Sequence, residues 1–193
     1  MKIAKNSDKN KVVEILTNSF IENKSIDYII PNDSSRVSRI RELMTYSFDM
    51  CMISGKVCLA DDETGCALIS FPERKKMSPS VVFLELKLIL FSIGVKNISR
   101  ALKREKIISS HYPKSPIYYL WFIGVHPEFQ NKGVGQRLLE EVVADASSMN
   151  RPVFLETSTL KNIPWYQKFG FSVYHELDFG YKLFLISNNK KCE

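Results

Sequence analysis

Residues that build metal and disulfide sites are scarce in this 193-residue sequence, which has four cysteines and three histidines. No two cysteines have C-x-x-C spacing, and no histidine pair lies near them to complete a zinc site. We therefore predict no metal and expect buried or unreactive thiols. The cysteines are Cys51, Cys58, Cys66 and Cys192.

Long apolar runs are also missing. Residues 1–20 do not combine a basic start with an apolar segment, as a signal peptide does. The most apolar window, VVFLELKLIL at 81–90, is interrupted by Glu85 and Lys87. We therefore expect a soluble, cytoplasmic protein with no membrane partner.

Negative charge is in the minority, since 27 Lys and Arg face 21 Asp and Glu, for a net charge of +6. A basic balance favours anionic partners, which include nucleic acid, a membrane surface and a phosphorylated cofactor. The only dense basic clusters, ERKK at 73–76 and ALKREK at 101–106, are not interleaved with aromatic residues. We interpret them as solvated faces and predict no nucleic-acid partner.

The length suits one well-buried domain, which we assign to residues 1–193, with a helical insert at about 78–112. Apolar residues make up 45% and charged residues 25%, as in ordinary globular proteins. No internal repeat, low-complexity tract or linker is evident. The two insert helices either shape the substrate side or simply cover one sheet face.

Hydrophobic spacing predicts the order of the elements. Asp8 can cap a first helix, and a second covers SRVSRIRELMTYSFDMCMI. KVCLAD and CALISF, separated by DETG, predict a hairpin, and PIYYLWFIGV at 116–125 predicts a buried strand. An amphipathic helix, the strand RPVFLET, a short helix in NIPWYQKFG and two final strands follow.

The most informative stretch is GVHPEFQNKGVGQRLL at 124–139, between a predicted strand and a predicted helix. The first N-H groups of a helix have no internal partner and, with the helix dipole, form an anion site. Gly133 and Gly135 remove the Cβ atoms that would keep a pyrophosphate from the backbone. Lys132 and Arg137 add positive charge beside it.

This pattern lacks the GK[ST] ending of a P-loop and the spacing of GxGxxG. Residues 130–135, QNKGVG, resemble the Q/R-x-x-G-x-G/A motif of the GNAT superfamily of N-acetyltransferases. IGVHPEFQ, RLLEEVVADA, VFLETS and WYQKFGF match that family in order across about 116–174. LETS followed by NIPWYQKFGF is similar to the branch that includes puromycin acetyltransferase, whereas residues 1–115 match only in coarse element order.

The resemblance implies a GNAT fold of the α/β (α+β) class. This fold has a central mixed, mostly antiparallel twisted sheet flanked by helices, here with a helical insert before the central strand. It also implies acetyl-CoA as acetyl donor, with its pyrophosphate on the loop amides and its acetyl end near the end of the strand LWFIGV. Family members often have an asparagine where this chain has Thr159, so we assign cofactor contact to Asn162, which can also simply cap a helix. The implied cofactor-binding residues are Ile123, Gly124, Val125, Gln130, Asn131, Lys132, Gly133, Val134, Gly135, Gln136 and Asn162.

Acetyl transfer to an amine needs a base, because an amine with a pKa near 10 is protonated at neutral pH. The resemblance places a catalytic glutamate at Glu156, whose alternative role is an ion pair or a helix cap. It also places Tyr166 as the proton donor to the departing thiolate, the alternative being a tyrosine packed on the sheet. We expect the oxyanion to be held by a backbone N-H in a bulged strand near Gly124.

We therefore hypothesise an acetyl-CoA-dependent N-acetyltransferase (EC 2.3.1 class) that moves an acetyl group to a primary amine of a small molecule by direct attack on the thioester. The alternative is a non-catalytic acyl-CoA-binding regulatory module of the same fold. Nucleic-acid binding, driven by the positive charge, is a third hypothesis. We expect a monomer or homodimer.

Overall fold

The computed structural model describes residues 1–189, so Cys192 lies outside the described residues. Short 3₁₀ turns join the main elements. The helices are α1 (Lys9–Ser19), α2 (Lys24–Ile29), α3 (Arg36–Ser54), α4 (Pro79–Leu88), α5 (Ile98–Ser109), α6 (Val134–Ser148) and α7 (Ile163–Gln167). The strands are β1 (Lys2–Ile3), β2 (Gly55–Leu59), β3 (Gly65–Ser70), β4 (Tyr118–Val125), β5 (Val153–Thr157), β6 (Ser172–Asp178) and β7 (Lys182–Ser187).

The seven strands form one sheet in the order β1-β2-β3-β4-β5-β7-β6. Every neighbouring pair is antiparallel except β4 and β5, which are parallel. The predicted mixed, mostly antiparallel sheet is therefore confirmed. The connection from β4 to its parallel neighbour β5 passes through α6, as a parallel pair requires a crossover.

Helices cover both faces of the sheet, because side chains along each strand alternate between the faces. Leu68 and Phe122 join α1 and α3 in one core, whereas Ile69 and Leu120 join α6 and α7 in the other. The predicted apolar stripes of α1 and α6 are buried in these cores. Their buried members are Val12, Val13, Ile15, Leu16, Leu138, Leu139, Val142 and Ala146.

The cysteines of the described chain are buried and free, as expected. Burial raises the pKa of the Cys58 thiol to about 11 and raises those of Cys51 and Cys66 further. Thiols with such raised pKa values stay protonated and unreactive at neutral pH. Within residues 1–189, no group of three or more His, Cys, Asp or Glu side chains could hold a metal ion.

Two local expectations at the N-terminal half need correction. Asp8 does not cap α1, because its carboxylate accepts the Lys5 N-H at 2.7 Å in the preceding 3₁₀ turn. The short α2 was not predicted, although Asn23 caps it by accepting the N-H groups of Ser25 at 2.9 Å and Ile26 at 3.4 Å. This helix matters because it forms part of the wall of the candidate site.

The predicted insert consists of α4 and α5, joined by a π-helical turn at Ile89–Ile93. Gly94 ends this turn with a φ of 77°, a backbone conformation that favours glycine. The Ser92 hydroxyl donates to the Arg39 carbonyl at 2.9 Å and fastens the insert to α3. Among the described helices, none is long and apolar enough to cross a membrane.

Gly124 differs from the sequence-based expectation of a distorted strand. It pairs regularly with Cys66, and the register shift of β4 lies instead at Trp121, between Leu120 and Phe122. A Cβ atom built on Gly124 would lie 2.9 Å from Leu16 Cδ2 and 3.0 Å from Ser19 Oγ. Glycine is therefore required here because α1 crosses close to the strand.

We predict that Gly124→Ala lowers the free energy of unfolding by about 1–3 kcal/mol, because the added methyl group must displace the side chains of Leu16 and Ser19 on α1. Urea denaturation of the two proteins would measure the change. Gly135→Ala is a suitable control, since its methyl group would meet nothing closer than 3.5 Å. Equal stability of the wild type and Gly124→Ala would contradict the explanation.

Candidate active site

An opening in the sheet lies between β4 and β5. These strands pair only at Tyr118 with Val153 and Tyr119 with Phe154. Beyond these pairs, the outer half of β4 keeps its ladder with β3, and β5 keeps its ladder with β7. The two parallel strands therefore separate, and the backbone on each side borders the gap.

The hydrogen-bond alternation of the sheet identifies the amides that face this opening. In an antiparallel ladder, alternate residues exchange hydrogen bonds with the partner strand. The His126 N-H donates to the Thr64 carbonyl at 2.8 Å, so Gly124, two residues earlier, also directs its N-H toward β3. The N-H groups of Ile123 and Val125 consequently face the opening, where β5 offers them no ladder partner.

The glycine loop leaves further N-H groups free at the start of α6. Gly133 has a φ of 79° and Asn131 a φ of 61°, both left-handed. No side chain caps α6, and its first internal bond runs from the Arg137 N-H to the Gly133 carbonyl at 3.1 Å. The three backbone amides between Gly133 and Arg137 are therefore available to a ligand. They belong to Val134, Gly135 and Gln136.

The start of α6 lies beside the end of β4 and beside α7. A Cβ atom built on Gly135 would be 3.5 Å from Val125 Cγ2 and 3.9 Å from Trp165 Cζ2. The Gln130 side-chain amide donates to the Val125 carbonyl at 3.1 Å and ties the loop to the strand. The loop, the strand end and α7 therefore form one continuous wall.

Two cationic side chains flank the loop, as expected. The Lys132 ammonium lies 5.0 Å from the centre of the Phe129 ring. The Arg137 guanidinium is 3.3 Å from the Asp62 carboxylate, and both side chains are about half exposed. These contacts are weak in water, so both cations can reorient toward an anion.

A cleft of about 360 Å³ lies next to this wall. Of the predicted site residues, Ile123, Glu156, Asn162 and Tyr166 line it. Gly124, Val125 and residues 130–136 lie outside its lining. The predicted residues therefore divide into a group at the cleft and a group at the start of α6.

The cleft is bounded by α1, α2, α3, the insert and the diverging strands. Much of its wall is aromatic. Phe20 meets Phe122 edge to face at 5.1 Å, and Tyr46 meets Trp121 in the same way at 6.1 Å. Such contacts hold the rings in fixed orientations. Its charged lining residues in the described chain are Lys75, Arg104, Glu105 and Glu156.

Glu156 lies on β5 with its carboxylate 9% exposed and held by three donors. The hydroxyls of Tyr112 and Tyr119 both donate to Oε1 at 2.8 Å. Arg104 Nη2 is 3.4 Å from Oε2. Charge-assisted hydrogen bonds and a cation together compensate the burial of a carboxylate.

Arg104 is fixed by further contacts with Ser25 on α2 and with Tyr181, which directly precedes β7. Its Nε donates to the Tyr181 hydroxyl at 3.0 Å, and Nη2 donates to Ser25 Oγ at 2.6 Å. Burial alone lowers the pKa of this guanidinium, but the Glu156 carboxylate and the Tyr181 hydroxyl outweigh that effect and raise it. Arg104 therefore stays charged beside Glu156.

The two tyrosines around Glu156 remain protonated. Burial is the main cause that raises the pKa of Tyr112 and of Tyr119 well above the ordinary value, and the Glu156 carboxylate adds to it. A protonated hydroxyl donates a hydrogen bond to the carboxylate. The network therefore holds Glu156 in one orientation at the cleft wall.

Tyr166 lies in α7 and is 5% exposed. Its ring meets Trp165 and Phe171 edge to face, with ring centres 4.8 Å and 5.8 Å away. Its hydroxyl has no hydrogen-bond partner among residues 1–189, and burial raises its pKa. The side chain is both packed on the sheet and exposed to the cleft, so the two sequence interpretations are compatible.

Asn162 immediately precedes α7, but its side chain makes no capping hydrogen bond. The capping alternative is therefore wrong. The Asn162 N-H donates to the Thr159 carbonyl at 2.9 Å, and both residues line the cleft. His126 precedes the 3₁₀ turn Pro127–Phe129.

Residues 98–173 match a family model described as the acetyltransferase (GNAT) domain. The matched stretch includes β4 with Ile123, the glycine loop, Glu156 and Tyr166. These 76 residues are therefore similar to a GNAT acetyltransferase domain. The match begins with α5, so the first half of the chain lies outside it.

Curated relatives match a similar length of chain. An uncharacterized N-acetyltransferase of Schizosaccharomyces pombe is 34% identical over 38% of this chain and 28% of its own. A probable serine/threonine-protein kinase of Dictyostelium discoideum is 37% identical over 37% of this chain and 8% of its own. The chain therefore matches only a minor part of each relative's length.

Solved structures extend the similarity of the GNAT fold to nearly the whole chain. A structure from Corynebacterium glutamicum, described as histone acetyltransferase HPA2 and related acetyltransferase, has a TM-score of 0.70 and 18% identity, over 97% of this chain and 93% of its own. Arylalkylamine N-acetyltransferase 2 from Aedes aegypti has a TM-score of 0.62 and 14% identity, over 97% and 98%. Identities this low establish the fold alone.

The residues that surround Glu156 were not predicted from the sequence. Arg104 comes from the insert, 52 positions before Glu156 in the chain. One signal was available: Ala101, Arg104 and Ile108 fall on one helical stripe, which places an arginine on the inward face of α5. No comparable pattern indicates Tyr112, Tyr119 or Ser25.

We predict that Arg104 and Glu156 are energetically coupled by about 1–3 kcal/mol, because either charge alone would be buried without its partner. A double-mutant cycle of Arg104→Met and Glu156→Gln, followed by urea denaturation, would measure this coupling. The exposed pair Lys182 and Glu176 is the matched control. Its cycle of Lys182→Met and Glu176→Gln should give at most about 0.5 kcal/mol. Equal coupling in both cycles would contradict a structural role for Arg104.

Proposed function

We propose that this chain is an acetyl-CoA-dependent N-acetyltransferase that acts on a primary amine of a small molecule. The observation that carries the proposal is the separation of β4 from β5 after Tyr119 and Phe154. It exposes backbone amides of β4 beside a cleft that Glu156 and Tyr166 also line. The GNAT domain match supports acyl transfer as the reaction class.

The residues at the start of α6 fit a pyrophosphate. Gly133 adopts its left-handed conformation without strain, and Gly135 carries no Cβ atom to keep a ligand from the first-turn amides. The free amides of the first turn and the positive end of the helix dipole attract an anion. We assign the cofactor pyrophosphate to residues 130–136 and its acyl end to the amides of Ile123 and Val125. Bound acetyl-CoA would supply an activated acetyl group.

Glu156 is our candidate to hold the acceptor amine and take its proton. A general base must reach the proton it removes, and Glu156 lies at the cleft wall with Oε2 bonded only weakly, at 3.4 Å, to Arg104. Its hydrogen bonds from Tyr112 and Tyr119 fix the other oxygen. The carboxylate is thus oriented before an amine arrives, which lowers the entropic cost of binding.

Tyr166 is our candidate to protonate the departing thiolate. Its raised pKa keeps the hydroxyl protonated at neutral pH, and that hydroxyl has no competing partner in the described chain. A general acid of this kind typically contributes a factor of about 10²–10⁴. We assign Asn162 to cofactor contact, supported by its position at the cleft and its uncommitted side chain.

The cleft favours a small acceptor with an aromatic or apolar body. Its volume of about 360 Å³ lies in the range of small-molecule sites. Phe20, Tyr46, Trp121 and Phe122 offer ring faces and edges, while Glu156 offers a negative charge for an ammonium group. The similar fold of the mosquito arylalkylamine N-acetyltransferase, whose name indicates an arylalkylamine acceptor, supports an acceptor of this kind. The motif LETS with NIPWYQKFGF supports kinship with the branch that includes puromycin acetyltransferase.

The second candidate is a regulatory module that holds acyl-CoA without transferring the group. The charged network around Glu156 favours it, because a carboxylate with three donors is also a good structural element. The free hydroxyl of Tyr166 favours the enzyme, because a purely structural tyrosine gains nothing from an unpaired hydroxyl at a cleft.

We predict that acetyl-CoA binds and that Gly135→Ala weakens binding at least tenfold, because a methyl group would stand between the first-turn amides and the pyrophosphate. Isothermal titration calorimetry would measure both affinities. Gly180→Ala, in the turn between β6 and β7, should bind acetyl-CoA like the wild type. Absence of binding at near-millimolar acetyl-CoA would refute the proposed function.

We predict that Tyr166→Phe and Glu156→Gln each lower turnover about 10²-fold or more while acetyl-CoA affinity stays within a few-fold. Thiol release with a panel of aryl, alkyl and polyamine acceptors would measure turnover, and calorimetry would measure affinity. Acetyl-CoA binding without thiol release for any amine in the panel would favour the regulatory module.

A further inference from the structure

Positive charge is concentrated in one part of the chain. The segment 74–106, here called the basic insert, has nine Lys and Arg and two Asp and Glu, for a net charge of +7. The rest of the chain has 18 basic and 19 acidic residues, for a net charge of −1. Glu73, directly before the insert, is paired with Arg151. The basic character of the protein is therefore a property of this insert.

The basic insert also has an unusual amount of exposed apolar surface. Sixteen large apolar side chains are exposed in the described chain, and eight of them lie in this segment. Phe83 is 67% exposed, Leu86 53% and Leu90 61%. Isolated exposed apolar residues are ordinary, but a cluster of this kind indicates an interaction site. The eight are Met77, Val82, Phe83, Leu86, Leu90, Phe91, Val95 and Leu102.

The apolar residues of α4 form a stripe on its outer side. Val82 and Leu86 are four residues apart and Phe83 lies beside them, so these side chains follow one face of the helix. The exposed Leu90 follows in the π-helical turn Ile89–Ile93 and extends the stripe. The opposite side is fixed to the domain. Leu88 packs against the core around α3, and the Ser92 hydroxyl donates to the Arg39 carbonyl. The apolar stripe therefore faces away from the core of the domain.

The basic insert also carries exposed cations that have no salt bridge in the described chain. Lys75 pairs with Glu85, Lys87 with Glu42, and Arg104 belongs to the Glu156 network. Five further basic side chains of the insert are exposed and have no salt bridge within residues 1–189. These are Lys76, Lys96, Arg100, Lys103 and Lys106.

We propose that the basic insert binds the surface of an anionic lipid bilayer. The stripe of α4 lies in the plane of the interface, with Phe83, Leu86 and Leu90 among the acyl chains. The unpaired lysines meet the lipid phosphates. With ten residues, α4 is about half as long as a membrane-spanning helix, so this is attachment at the surface.

The combination of positive charge and exposed apolar surface favours an anionic bilayer over other partners. A second copy of the chain would bring two segments of net charge +7 together, which is repulsive. A nucleic acid would satisfy the lysines and leave the exposed stripe of α4 in water. An anionic bilayer satisfies both features. The proposal differs from the expectation of no membrane partner, which rested on the absence of a signal peptide and of an uninterrupted apolar run.

The test is co-sedimentation of the full chain with large unilamellar vesicles of phosphatidylcholine and phosphatidylglycerol at 3:1. We expect binding to these vesicles at 0.1 M NaCl, at least tenfold weaker binding to pure phosphatidylcholine, and release at 0.5 M NaCl. No binding to the anionic vesicles at millimolar lipid would overturn the proposal.

Matched variants separate the insert from the rest of the surface. Phe83→Ser with Leu90→Ser should lower vesicle binding at least tenfold, whereas Val37→Ser with Ile53→Ser, at positions 52% and 51% exposed on α3, should not. Lys96→Glu with Lys103→Glu should also abolish binding, and Lys5→Glu with Lys11→Glu should keep it. Equal losses in the insert and control variants would overturn the proposal.

Thermal denaturation and acetyl-CoA calorimetry of each variant would exclude misfolding. Analytical ultracentrifugation of the wild type tests the competing explanation, in which the stripe contacts a second copy of the chain. A dimer that Phe83→Ser with Leu90→Ser dissociates, together with no vesicle binding, would assign the stripe to a second copy of the chain. The proposed acetyl transfer is independent of these results, because vesicle binding is measured without turnover.

Discussion

The whole candidate site depends on the loss of pairing between two parallel strands. Backbone N-H and C=O groups normally find partners within a sheet, and leaving them unpaired in a buried place is costly. Here β4 and β5 share only two residue pairs before they separate. The surrounding structure holds this arrangement: β3 continues to pair with β4, β7 continues to pair with β5, and helices cover both faces. The unsatisfied amides at the gap are consequently available to a ligand that carries acceptors of its own.

The second constraint is the burial of a carboxylate. Glu156 could not remain ionised in an apolar wall without compensation, and its partners come from several distant elements. Arg104 lies on α5, Tyr119 on β4, and Tyr112 follows α5. Arg104 in turn contacts Ser25 on α2 and Tyr181 beside β7. One buried charge therefore connects the insert and α2, which adjoin the cleft, to the sheet that forms its floor.

Sequence patterns predicted most of the elements that form this scaffold. Periodicity located α1, α3, α6 and the hairpin of β2 and β3, because each has a long or regular alternation of apolar residues. It failed for β1 and α2, which are two and six residues long and carry no measurable period. Gly124 was assigned to the right strand for the wrong reason. Its glycine reflects the close approach of α1, a contact between residues that are far apart in the sequence.

What the sequence determined by itself is local. The glycines of QNKGVG permit a left-handed turn before a helix, and this backbone conformation depends only on neighbouring residues. That is why the loop and the strand and helix that flank it could be recognised from a short stretch. Tertiary structure decided which side chains surround Glu156 and in which direction the apolar residues of α4 point. Both outcomes depend on contacts across 50 or more positions, such as Arg104 with Glu156 and Ser92 with Arg39, and no local pattern encodes them.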